Sequence, residues 1–241
     1  MKVHLLVEGP ADRAFFRVDQ ASWGQRFFKQ FKDCDVEVHA HGGRGTLPEG
    51  EALKQPPPAR SRGLLDQLPA KLRAYAAAKQ PAPLVVVLID ADDDDCVDLK
   101  RRISDAAQSE APGVPVLVRI AVEETEAFYL GDWKAIKKAY PRAKQMVFRT
   151  YEPDVRPTQG TWELFAEVVG EKGYENKVDW AERMGVVMSI NAAGNRSPSF
   201  KALCRGLTQK LQPKNVTVPA PAPAAKPKKK KFHHAAKSAK S

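Results

Sequence analysis

Apolar and polar positions alternate along residues 1–140 in a rhythm that predicts strands and helices in turn. Residues 2–7 form a short β-branched and aliphatic run stopped by Gly9-Pro10, which predicts a first strand. Phe15, Phe16, Val18, Trp23, Phe27, Phe28 and Phe31 then recur at mixed three- and four-residue spacings, predicting a helix over residues 11–31 interrupted near Gly24. Residues 35–40 alternate as a second strand, with Val36 and Val38 on one face. A flexible Gly42-Gly43-Arg44-Gly45 turn and a proline-rich loop over residues 55–62 lead to a second helix over residues 64–79. Residues 84–89 (LVVVLI) are continuously apolar, the mark of a strand covered on both faces in a parallel sheet. A helix over residues 97–109, a strand over residues 114–122 and a helix over residues 123–140 complete a β-α-β-α-β-α-β-α order, which predicts an open parallel sheet with right-handed crossovers. Beyond Trp162 the pattern turns helical, with pieces at residues 161–170, 177–189 and 199–212. The expected organisation is an α/β domain over residues 1–150, a helical extension over residues 151–212, and a tail over residues 213–241.

Composition changes this picture in one respect. The chain has 241 residues, 43% hydrophobic and 28% charged, which suits a soluble globular protein and excludes collagen, coiled-coil rod and wholly disordered chain. Its net charge of +10 invites nucleic acid as a partner. Eight lysines and no acid fall in the Pro/Ala/Lys-rich tail, however, leaving only +2 for residues 1–212. The tail composition cannot bury a core and predicts a disordered basic appendage that binds DNA or RNA weakly through counterion release. The longest apolar stretch, residues 81–89, contains two prolines and closes on Asp90, short of the roughly 20 residues that span a bilayer. The apolar run at residues 3–7 meets Glu8, too soon for a signal peptide. With three cysteines and no C-x-x-C pair, the expected location is the cytoplasm.

In an open parallel sheet, ligands collect at the carboxyl ends of the strands. Acids stand at three of those ends: Glu8 after the first strand, Asp90 and Asp92 to Asp95 after the third, and Glu123, Glu124 and Glu126 after the fourth. Carboxylates crowded at one rim raise one another's pKa unless a cation compensates, and such hard oxygen ligands suit Mg²⁺ or Mn²⁺. Helix capping accounts for one or two of the aspartates. It does not account for five acids directly after a buried strand. Within the glutamate trio, Glu126 is the preferred ligand, with Glu123 or Glu124 as helper.

These residues carry a family resemblance. Val7-Glu-Gly-Pro-Ala-Asp12 resembles the first motif of the Toprim domain, and Leu88-Ile89-Asp90-Ala91-Asp92 resembles its Asp-x-Asp motif. Ala121-Val-Glu-Glu-Thr-Glu-Ala-Phe-Tyr-Leu-Gly-Asp132 and Asn195-Arg-Ser-Pro-Ser-Phe-Lys201 are similar to segments of the small bacterial Toprim proteins related to the OLD nucleases, often encoded beside an ATPase. The resemblance spans roughly residues 1 to 210. It implies a Toprim-like open sheet with a helical C-terminal extension, and metal-dependent cleavage of DNA or RNA phosphodiesters in defence against phage. Under it, Asp90 and Asp92 hold Mg²⁺ or Mn²⁺, Asp94, Glu124 and Glu126 are further ligands, and Glu8 is a ligand or general acid/base. Lys201, Arg196 and Arg44 are its phosphate-binding candidates, with Lys201 also counted among the catalytic set.

The chain has no P-loop, so any ATPase is expected to be a separate subunit. A homo-oligomer stays open. Two other readings stay open as well. Asp90-x-Asp92 also resembles the nucleophile motif of haloacid-dehalogenase phosphatases, although that motif normally lies on a first strand. The chain could instead be a catalytically silent Toprim-fold subunit that binds or regulates an ATPase. His39 and His41, two apart on a strand, read as a surface pair because no third metal ligand is in view. Trp162, Phe165 and Trp180 read as core or interface residues.

Overall fold

The computed structural model describes residues 1–78, 81–171 and 173–212, so the basic tail and Lys79 lie outside the described residues. Four strands, β1 (Lys2–Val7), β2 (Asp35–Ala40), β3 (Leu84–Asp90) and β4 (Val116–Ala121), form one sheet in the order β2-β1-β3-β4. Every pairing is parallel. The fold is the open α/β sheet with helices on both faces that the alternation predicts, consistent with the Toprim-like form.

Side chains of β3 alternate between two cores, as a doubly covered strand requires. Leu84, Val86 and Leu88 join one, and Val85, Val87 and Ile89 the other. The second core is closed by α3 (Leu64–Ala77) and α4 (Cys96–Glu110). The first is larger and aromatic. It is closed by α1 (Pro10–Phe16), α2 (Trp23–Phe28), α5 (Glu126–Leu130) and α6 (Trp133–Ala139), and further by α7 (Gln145–Phe148), α8 (Thr161–Val169), α9 (Lys177–Val187) and α10 (Pro198–Leu211). Helices of the C-terminal third therefore share a core with the N-terminal strands: Trp23 stacks on Phe27 and meets Phe200 edge-on, and Phe165 lies between Tyr129 and Trp180.

Two expected helices are each broken in two. The residue 11–31 segment stops at Phe16 and resumes at Trp23, where the Ser22 hydroxyl caps α2 by accepting from Gln25 N–H. Gly24 is not the break but a close approach: a Cβ there would lie 1.9 Å from the Phe16 carbonyl oxygen. The residue 123–140 segment splits at Gly131-Asp132, where a Cβ on Gly131 would fall 1.9 Å from Asn195 Oδ1. Asn195 Nδ2 donates to the Phe128 carbonyl at 2.9 Å and Arg196 N–H to the Gly131 carbonyl at 2.8 Å, which ends α5. Ser197 then caps α10 by accepting from Phe200 N–H. The short helix α7 was not legible in the periodicity.

Among the described residues no helix is long and apolar enough to cross a membrane, and Cys34, Cys96 and Cys204 are free thiols. Gly24→Ala is expected to destabilise the protein by about 1–3 kcal/mol or more through overpacking against Phe16. Chemical denaturation measures this, and an unchanged midpoint would contradict the packing of α1 on α2.

Candidate functional site

The strand order reverses between β1 and β3, so the chain leaves their carboxyl ends in opposite directions and opens a crevice there. Glu8 and Asp90 stand on the two lips. The Asp90 N–H donates to Glu8 Oε1 at 2.8 Å, which ties the glutamate to the neighbouring strand end. Beside them stand Asp12 in the first turn of α1, Glu126 at the start of α5 and Lys177 at the start of α9. Together with Asp90, Thr125 and Tyr129 they line a cavity of about 220 Å³. That is below the roughly 300–1,000 Å³ of small-molecule pockets. The space suits an ion with its waters or one phosphoryl group, not a whole nucleotide.

One hydroxyl is shared by two acids. Thr125 Oγ1 lies 2.8 Å from Asp12 Oδ1 and 3.0 Å from Asp90 Oδ1. A threonine hydroxyl has one proton to donate. With both carboxylates ionised, one of these contacts would set lone pairs against each other, so one acid holds a proton or a cation takes the proton's place. The surrounding electrostatics agree. Burial, then the charges of Asp12, Glu8 and Glu126, push Asp90 well above the usual carboxylate range, and burial pushes Asp12 up as well. Burial raises Glu8 to about 7, although the hydrogen bond from Asp90 N–H works against it. Glu126, 2% exposed, is likewise raised to about 7 by burial.

Lys177 is the cation set against this group. Its Nζ lies 3.2 Å from Glu126 Oε1 and 3.9 Å from Glu124 Oε1. Burial alone would lower the lysine, but Glu126, Glu124 and Asp90 outweigh it and hold the ammonium charged. Even so, Glu126 Oε2 is buried with no hydrogen-bond partner among the described residues. One ammonium does not satisfy the cluster. An orphaned buried carboxylate oxygen among hard oxygen donors fits a divalent cation such as Mg²⁺ or Mn²⁺.

Other residues expected at the site are placed differently. Asp92 takes a left-handed backbone (φ 48°) and its exposed carboxylate pairs with Arg44 Nη1 at 3.3 Å; Asp94 pairs with the same nitrogen at 2.9 Å. Arg44 also donates to the Ala91 carbonyl at 3.0 Å, so it braces the loop after β3. Asp92 still adds to the upward push on Glu8. Glu123 is buried, left-handed (φ 71°) and bonded by the Thr161 hydroxyl, and its carbonyl accepts from Asp92 N–H at 3.2 Å. Two adjoining non-glycine left-handed residues, each costing roughly 1–3 kcal/mol, put backbone strain at this rim. Glu124 Oε2 accepts from Trp162 N–H at 2.9 Å and caps α8. Arg196 lies over the Phe148 ring, 5.6 Å from its centre, and donates to the Tyr151 carbonyl, away from the cavity. The Lys201 side chain makes no hydrogen bond or ion pair with a described residue, and its backbone N–H donates to the Ser197 carbonyl within α10. Among the described residues, only His4, Glu37 and His39 bring three ligand atoms within 4.8 Å of one another. The rim acids are gathered but not closed around a point.

A family match covers most of the chain. The domain described as "Domain of unknown function (DUF4276)" matches residues 7–208. The chain belongs to that family. No curated protein and no solved structure matches it. The matched span runs from the residue before Glu8 to the last turn of α10 and so contains every member of the cavity. Of the polar members, Asp12, Thr125 and Lys177 were not among the site residues expected from the sequence. A lysine after Glu175-Asn176 and a threonine between glutamates carry no spacing signal; only the fold brings α9 over the end of β3.

Two outcomes follow for protein stripped of divalent ions. Glu8 and Glu126 titrate near 7 when folded against an ordinary 4.5, so the folded state binds more protons. Their contribution to stability is full below about pH 4.5 and is lost as pH rises through 7. Thermal melts should show a decline over that window that is shallower in Glu126→Gln; identical slopes would contradict the burial of Glu126. Lys177→Met leaves the acids without their ammonium and should cost about 3–5 kcal/mol at pH 8, the scale of a broken buried pair. The loss should shrink at pH 5.5, where the acids take up protons. Equal losses at both pH values would show that the lysine acts by packing alone.

Proposed function

We propose that this protein is a metal-dependent nuclease that cleaves DNA or RNA phosphodiesters. The observation that carries the reading is the meeting of Glu8 and Asp90 at the sheet's switch point, beside a buried acid group that its one lysine leaves incompletely satisfied. Glu8, Asp90 and Asp12, with Glu126 behind them, are the residues that would hold Mg²⁺ or Mn²⁺. Such ions, when bound, stabilise the attacking and leaving oxygens of a phosphoryl displacement. The protein's own groups supply the rest. Glu8, raised to about 7, is poised to hold or release a proton at its carboxyl oxygen near neutral pH, as protonation of a leaving oxygen requires. Lys177 limits the charge inside the cavity, and Arg44, whose charge acts on Glu8, can exchange Asp92 and Asp94 for a substrate phosphate.

In this reading the protein works in the cytoplasm with a separate ATPase subunit in defence against phage, as the resemblance to the OLD-related Toprim group implies. A silent regulatory subunit is the second reading. It is favoured by Asp92 and Asp94 already being paired with Arg44. Cleavage of plasmid and RNA in Mg²⁺ or Mn²⁺, with and without any ATPase found encoded alongside, separates the two. Wild type is expected to cleave, with Asp90→Asn and Glu8→Gln at least 100-fold slower. Absence of cleavage by wild type in every condition would overturn the nuclease reading.

A further inference from the structure

The outer edge of the sheet carries a second group of metal-suited donors, distinct from the acidic rim. In the parallel register His4 of β1 faces Glu37 of β2, and Leu6 faces His39. Cross-strand partners point to the same side, so His4, Glu37 and His39 share the face toward α3. There Tyr75 stacks on the His4 ring, with centres 4.5 Å apart and an interplanar angle of 17°. The stacking fixes the ring plane. His4 Nδ1 lies 2.9 Å from His39 Nε2 and 3.4 Å from Glu37 Oε2, and His39 Nε2 lies 3.6 Å from the same oxygen.

These separations decide the chemistry. Zinc bonds of about 2.0–2.2 Å in a tetrahedron set its donor atoms about 3.3–3.6 Å apart. The three observed spacings straddle that edge length, so an ion can take its place with small side-chain shifts. We propose that His4, Glu37 and His39 form a binding site for Zn²⁺, with solvent as the fourth donor. Two imidazoles and one carboxylate suit zinc and neighbouring transition metals better than Mg²⁺.

Burial keeps both imidazoles neutral at pH 7, with His39 lowered to about 4, and the neutral ring is the ligating form. Two positive groups oppose a cation. Lys2 pairs with Glu37 through the other oxygen, Oε1, and Lys71 lies close enough to act on both rings. Both are long and flexible, and the oxygen facing the rings is not the one Lys2 holds. Side-chain exposures of 13% for His4, 31% for His39 and 49% for Glu37 leave a path for the ion. Because β2 pairs with β1 and ends the sheet, a bound ion would clamp the edge strand in register. His41, the other half of the expected surface pair, is turned to the Val7 carbonyl at 2.9 Å and takes no part in the trio.

The proposal does not depend on the nuclease reading. Its test uses the full chain, stripped with chelator and dialysed against Zn²⁺ alone. Wild type is expected to bind one zinc ion at least tenfold more tightly than either Glu37→Gln or His39→Gln, and zinc should raise its melting temperature but not theirs. Co²⁺ in place of zinc should give the strong visible absorption of a four-coordinate ion in wild type and lose it in both variants. Equal zinc affinity in all three proteins, or a Co²⁺ spectrum unchanged by both substitutions, would overturn the site. Glu37 is exposed on an edge strand, so Glu37→Gln reports on binding even if His39→Gln folds poorly.

Discussion

Crowded negative charge at the end of β3 is the constraint around which this molecule is arranged. Asp90 continues a strand buried on both faces, and Glu8, Asp12 and Glu126 are brought against it by three different elements. In a low-dielectric setting such a group stands only if protons, hydrogen bonds or cations answer it. Hydrogen bonds and a cation are both present. Thr125 bridges two of the acids, the Asp90 N–H and Gly9 N–H serve Glu8 and Asp12, and Lys177 reaches in from α9. The attachment of the C-terminal helices is thus electrostatic as well as hydrophobic. They pack their aromatic residues into the core beneath β1 and β3, and α9 delivers the ammonium that lets the acids sit together.

Legibility in the sequence followed the range of the interactions. β3 could be read because a strand buried on both faces is apolar at every position, and β2 because its apolar residues alternate; acids immediately after the apolar runs stand out. Glu8 and Asp90 were legible for that reason, and parallel alternation brought them side by side. Asp92 was singled out by the acid run and the Asp-x-Asp resemblance, neither of which carries the left-handed turn at that residue or its pairing with Arg44. Arg196 and Lys201 were assigned to phosphate on motif resemblance. The Asn195–Ser197 stretch instead closes α5 and opens α10, which explains the pattern of small and amide residues in structural terms. Lys177 and the His4–Glu37 pairing were invisible because each depends on a contact between segments distant in sequence.

The sheet therefore carries two sets of donors of different softness. At its carboxyl end the ligands are carboxylates under mutual repulsion, suited to a hard, well-hydrated ion. At its outer edge two neutral imidazoles and one carboxylate are already spaced for a smaller, more covalent one. The first set is largely buried, lies near the strained backbone of Asp92 and Glu123 and borders a cavity, features that go with chemistry on a ligand. The second lies on a regular pair of strands without strain, which suits a structural clamp.

The most direct test of the account is a crystal structure of the protein grown with Mn²⁺, with anomalous scattering used to locate the ion. The account predicts a manganese peak within coordinating distance of the Glu8 and Asp90 carboxylates, with the Lys177 ammonium displaced from Glu126. A map with no peak there at saturating Mn²⁺, and with Lys177 still paired to Glu126, would contradict it.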